Sequence, residues 1–131
     1  MGLRPSVLVV EDYPPLRMVI LEVLRVLGGE IHLVGAVSTE DAPAVLRARR
    51  PQLVILGLGP RQLQGGLCCL PKGEWHTLVL TPEPSIGAQA AMDVLPKPFD
   101  IQELADRVRQ ALRLIRDEPP DGSTSGLASR A

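Results

Sequence analysis

The sequence predicts an α/β domain built on a parallel β-sheet. Three observations carry that expectation. Short and almost wholly apolar runs recur five times along the 131 residues. Strands apolar on both faces belong inside a parallel sheet, where helices cover each side. Between the runs lie segments whose apolar residues repeat at helical spacing, and strands alternating with helices are the pattern of βαβ units.

The first run, S-V-L-V-V over residues 6–10, ends in two acids, Glu11 and Asp12. Pro14 and Pro15 then break the chain before a helix. Its Leu16, Val19, Ile20, Val23, Leu24 and Leu27 fall on one face, and Gly28 and Gly29 stop it. Residues 31–37 form the second strand. Ser38 and Asp41 make a capping-box-like start for a helix that turns Val45 and Leu46 inward and ends at Pro51. Residues 53–58, 78–81 and 92–95 are the third, fourth and fifth strands. Asp100 with Glu103 caps a last helix whose apolar face is Ile101, Leu104, Ala105, Val108, Leu112 and Ile115. From Asp117 onward no apolar period remains. One domain over 1–116 is therefore expected, followed by a disordered tail or linker stub over 117–131. Two connections are short and broken: residues 59–77 by Pro60, Gly65, Gly66, Pro71 and Gly73, and residues 82–91 by two prolines and a glycine. A βαβ crossover takes at least about 10–12 residues including its helix. The helices there, third and fourth in such a fold, are expected to be shortened.

Composition narrows the function classes. A chain of this size buries roughly two-thirds of its unfolded surface, enough for one core. With 14 basic and 15 acidic side chains the net charge is -1, which gives no overall attraction to nucleic acid or to an anionic membrane. Cys68 and Cys69 are adjacent. They lack both metal-ligand spacing and the separation that would staple distant segments, and read as small apolar residues. Arg4 and Pro5 precede only a short apolar run without a cleavage-like site, so no secretory leader is expected. No stretch approaches the roughly 20 apolar residues of a membrane span, and a cytoplasmic location is expected. His32 and His76 have no Ser, Cys or Asp at a recognisable catalytic spacing. Arg47, Arg49 and Arg50 suit the carbonyl end of a helix better than a nucleic-acid surface. The bases are otherwise arginines apart from Lys72 and Lys97, so a lysine at a fixed structural place carries information.

Five local features occur in a fixed order: Glu11–Asp12 closing the first strand, D-Y-P-P-L-R after it, P-Q-L-V-I-L-G-L leading into a glycine-rich loop, L-V-L-T ending at Thr81, and V-L-P-K-P-F-D placing Lys97 after the fifth strand. In that order and spacing the chain, over residues 6 to about 116, resembles the receiver domain of two-component response regulators. The resemblance implies a three-layer flavodoxin-like fold with strand order 2-1-3-4-5 and a site at the carboxyl ends of the strands. It implies that Glu11 and Asp12 occupy the Mg²⁺-holding positions and that Thr81 and Lys97 occupy those that contact a phosphoryl group. It further implies that the acceptor aspartate should stand at Gly57, that the switch aromatic should stand at Val94, and that the Lys97–Pro98 bond is cis.

The departures decide the functional expectation. Glycine has no side chain to carry an acyl phosphate, and no Asp or Glu occurs between Asp41 and Glu74. Gln52, Gln62 and Gln64 are neutral amides and poor nucleophiles. Mg²⁺ prefers octahedral oxygen coordination, and with one carboxylate lost only weak binding by Glu11 and Asp12 is conceivable, with Lys97 competing as the local cation. Two readings of the acids stay open: a residual cation site, or a structural remnant in which one of them pairs with Lys97. Thr81 is either a satisfied strand-end hydroxyl or a phosphate contact.

The expectation is a pseudo-receiver: not an enzyme, with no cofactor, signalling by protein–protein interaction. Its partner would be a sensor kinase, an output domain, another regulator or a second copy, met through the first and last helices or through the apolar stretch Leu67, Cys68, Cys69 and Leu70. No direct contact with nucleic acid or membrane is expected. The alternatives are phosphotransfer to an unusual acceptor such as Asp12 or Thr81, and a small-ligand or metal-binding α/β module.

Overall fold

The computed structural model describes residues 4–57, 75–82 and 93–117. The five strands are β1 (Ser6–Val10), β2 (His32–Val37), β3 (Leu53–Gly57), β4 (His76–Thr81) and β5 (Asp93–Pro96). All pair in parallel, in the order β2-β1-β3-β4-β5. The helices among the described residues are α1 (Pro14–Val26), α2 (Ala42–Arg49) and α3 (Ile101–Asp117), with a single 3₁₀ turn at Gly28–Glu30. The expected flavodoxin-like fold and strand order are present. The expected shortened third and fourth helices, the Leu67–Leu70 stretch and the tail beyond Asp117 lie outside the described residues. Asp117 itself still belongs to α3, one residue past the expected domain boundary.

Burial follows strand position. In β1 Val7, Leu8, Val9 and Val10 are fully buried, and every residue of β3 is buried. The edge strands β2 and β5 are only partly covered. Successive side chains of a strand point to opposite faces, so the core divides into two. Val7, Val9, Leu53, Ile55, Leu78, Leu80 and Leu95 pack under α1 and α3. Leu8, Val10, Val54, Leu56 and Val79 pack against Ala42 and Leu46 of α2, with Val94 and Trp75 at the margin. None of the helices among the described residues is long and apolar enough to cross a membrane.

Several local expectations need correction. Pro14 and Pro15 do not separate strand from helix; they open α1 as its first residues, where a missing N–H costs nothing because that donor has no partner inside the helix. Ser38 and Asp41 do not form a capping box. Asp41, the N-cap, is in the helical region and caps nothing with its side chain, whereas an N-cap needs extended backbone to reach inward. Asp100 and Glu103 do form one: Glu103 N–H donates to Asp100 Oδ1 at 2.8 Å, and Asp100 N–H donates to Glu103 Oε1 at 2.9 Å. Val19 and Ile101 are exposed rather than inward, and Ala111 takes a buried place on α3. Arg50 ends α2 in the left-handed conformation with φ 48°.

Candidate functional site

The strand order reverses direction between β1 and β3: the chain leaves β1 for β2 on one side, and β3 lies on the other. In open α/β sheets the crevice at the carboxyl ends of such strands is where ligands bind. Glu11 and Asp12 follow β1 at this point, and the two consecutive acids part. Glu11 extends the ladder, its N–H donating to Val37 O at 3.0 Å. Its side chain turns towards β3 and is 4 % exposed. Asp12 is exposed and turns towards the loop after β2, where Thr39 N–H donates to its Oδ1 at 2.7 Å and the Thr39 hydroxyl lies 2.9 Å from its Oδ2.

Gly57, the expected acceptor position, is the last residue of β3. A Cβ added there would overlap Glu11 Oε1 and lie 2.6 Å from Glu11 Cδ. The carboxyl group of Glu11 therefore sits in the space where a side chain at position 57 would begin. Glu11 is held through both its carboxyl group and its backbone. Tyr13 N–H donates to Oε2 at 3.1 Å, and Arg17 Nη1 donates to the Glu11 carbonyl at 3.0 Å. Lys97 Nζ stands 3.7 Å from Oε1. Oε1 is buried and has no hydrogen-bond partner among the described residues.

Lys97 is positioned by the backbone beside it. Thr81 ends β4 fully buried, pairs in register with Pro96, and accepts from Lys97 N–H at 2.8 Å through its carbonyl. The Lys97–Pro98 bond is cis, as the resemblance implies. The Glu11–Lys97 pair that the remnant reading expects is present. The fold thus brings Glu11, Gly57, Thr81 and Lys97 to one end of the sheet. Asp12 reaches that end with its carboxylate turned to Thr39. Val94 lies within β5, in register with Val79 and packed in the α2-side core.

The donor set among the described residues is a poor one for a hard divalent cation. Glu11 faces Lys97, Asp12 faces Thr39, and position 57 offers no oxygen from a side chain. Among the described residues no group of three or more His, Cys, Asp or Glu side chains could hold a metal ion.

Three contacts escaped the sequence. Thr39 and Arg17 carry no local signal for their roles beside Asp12 and Glu11. His76 does have an acidic partner, Asp93, with Nε2 to Oδ2 2.6 Å apart across β4 and β5. The two stand 17 positions apart at the amino ends of their strands, and only strand pairing joins them.

No protein-family model matches the chain. It is 31 % identical over 128 residues to the DNA-binding response regulator MtrA of Mycolicibacterium smegmatis, a match covering 91 % of this chain and 55 % of that protein. The chain spans about half the length of the curated relatives it matches. Among solved structures, a response regulator from Thermotoga maritima superposes with a TM-score of 0.67 at 19 % identity, covering 85 % of this chain and 99 % of that one. A response regulator from Chloroflexus aurantiacus gives 0.61 at 26 % identity, with coverage of 85 % and 99 %. The shared frame accounts for where these side chains gather, and the kinship in sequence runs over nearly the whole of it: this chain is a response-regulator receiver domain of the two-component type.

Proposed function

We propose that this receiver is a pseudo-receiver, a binding module rather than an enzyme, that signals without being phosphorylated. The observation that carries the reading is Gly57 at the end of β3, in a chain with no Asp or Glu between Asp41 and Glu74. Phosphotransfer to a receiver uses a carboxylate carried by the residue that ends this strand, and glycine carries none. The alternative acceptors named by the sequence are poorly placed. Thr81 is fully buried, and both carboxylate oxygens of Asp12 lie within hydrogen-bond distance of Thr39.

A domain of this kind acts through its surface. Its partner is a sensor kinase, an output domain, another regulator or a second copy, met in the cytoplasm through the first and last helices. Met18 and Val26 on α1 and Leu114 on α3 are large apolar side chains left exposed, and such residues supply binding surface when they gather. DNA binding is a property of the MtrA relative, a protein nearly twice as long. Here an output domain elsewhere in a longer protein would carry it.

The test is intact-mass spectrometry of the native chain after incubation with acetyl phosphate and Mg²⁺. The expected result is no phosphoryl adduct. A stoichiometric adduct would overturn the reading, and peptide mapping would then name the acceptor.

A further inference from the structure

We infer that Glu11 is the resident carboxylate of this site: it takes the volume of the absent acceptor side chain, faces Lys97 from there, and closes the pocket from within. The inference rests on the pseudo-receiver reading and deepens it. That reading says the acceptor is missing; this one says that a neighbouring acid has moved into its place, so that positions 11 and 57 form a linked pair.

Space, rather than backbone conformation, is what glycine provides at position 57. Gly57 has no left-handed φ, so its backbone suits any residue. Gly28 and Gly29 would meet nothing within 4 Å if given a Cβ, and Gly35 would make ordinary contact at 3.4 Å with Leu8 Cδ1. At Gly57 alone among these does the added atom collide, and the three atoms nearest to it all belong to the Glu11 carboxyl group. That group is also the one with a buried oxygen lacking a hydrogen bond among the described residues. An unsatisfied carboxylate oxygen persists at such a site only if something holds it, and the ammonium of Lys97 at 3.7 Å is the opposite charge that does so. A phosphodonor or a divalent cation would have to displace Glu11 from Lys97 to enter.

The test is a thermal-denaturation cycle. Gly57→Ala is made in the native chain and in Glu11→Asp, which keeps the charge for Lys97 but withdraws the carboxyl group by one methylene. Glu11→Ala serves as a second background with the carboxyl group removed. In the native chain Gly57→Ala is expected to lower Tm by about 5 °C or more, because Glu11 must leave its place. In either shortened background the same substitution is expected to leave Tm unchanged or raise it slightly, as alanine restricts the unfolded chain. An equal fall in all three backgrounds, or failure of every Gly57→Ala protein to fold, overturns the inference, since Glu11 would not be the obstacle. Acetyl phosphate treatment of the native chain separates this inference from the reading beneath it. An adduct with the coupling intact overturns the pseudo-receiver and leaves Glu11 in place. No adduct with the coupling absent does the reverse.

Discussion

The two ends of this sheet each join an acid to a base, and the pairs are built in opposite ways. At the carboxyl end, Lys97 Nζ and Glu11 Oε1 are 3.7 Å apart, with side chains 19 % and 4 % exposed. At the amino end, His76 Nε2 and Asp93 Oδ2 are 2.6 Å apart, with side chains 29 % and 41 % exposed. The closer contact is the wetter one. Water solvates either partner of the outer pair once it is released, so its short distance adds little to stability. Around the inner pair there is little water to take over, and whichever partner remains is stranded. The consequence of breaking an ion pair is set here by what surrounds it, not by its length.

The sharpest way to break the comparison is at Lys97. Lys97→Met keeps much of the apolar stem and removes the charge, leaving the buried Glu11 carboxylate without the ammonium that faces it. The expected loss is about 3 kcal/mol of unfolding free energy, read from the urea midpoint at unchanged slope. A loss below about 1 kcal/mol would mean that Glu11 simply swings into solvent. Next in size is Asp12→Ala, which removes the acceptor of Thr39 N–H and the neighbour of its hydroxyl. Charge-assisted hydrogen bonds are worth about 1.5–3 kcal/mol when protected. The exposure of Asp12 reduces this to an expected 1 kcal/mol or so, measured the same way. Thr39→Val in the Asp12→Ala background should then add almost nothing, because the two substitutions remove one interaction.

Much of this molecule was legible in its sequence, and the division has physical reasons. The central strands declared themselves because burial on both faces leaves only apolar residues in β1 and β3. The Asp100–Glu103 box was legible because its two hydrogen bonds close within four residues. The same motif failed at Ser38 and Asp41, where backbone conformation decides and composition does not reveal it. Helical spacing put Val19 and Ile101 on the apolar faces of their helices, but both are exposed, because spacing does not say whether a neighbour covers that part of the face. At the site, Glu11, Asp12, Thr81 and Lys97 were identified by position, and Gly57 by what it lacks. What replaced the missing side chain was not legible. Glu11 and Gly57 are joined by the pairing of β1 with β3, and nothing within either segment records that one fills the other's space. Asp93 was hidden from His76 in the same way.

The smaller effects sharpen the comparison from its weaker side. Asp100→Ala removes one half of the capping box at the start of α3 and leaves Glu103 N–H to water, which is expected to cost about 1 kcal/mol. That cap is more exposed than the half-buried His76–Asp93 pair, but it satisfies a backbone donor that the helix itself cannot, and so should outweigh it. His76→Gln keeps a hydrogen-bonding side chain at the amino end of β4 and removes the imidazole. The expected cost is about 0.5 kcal/mol or less, within the range of exposed pairs. The strand does not depend on the side chain for its register: His76 N–H donates to Gln52 O at 2.9 Å, and the ladder to β3 runs on from there to Gly57. Urea denaturation of His76→Gln beside Lys97→Met therefore compares the two ends directly. If the His76 variant loses as much as the Lys97 variant, distance rather than solvent governs these pairs, and the contrast between the ends of the sheet fails.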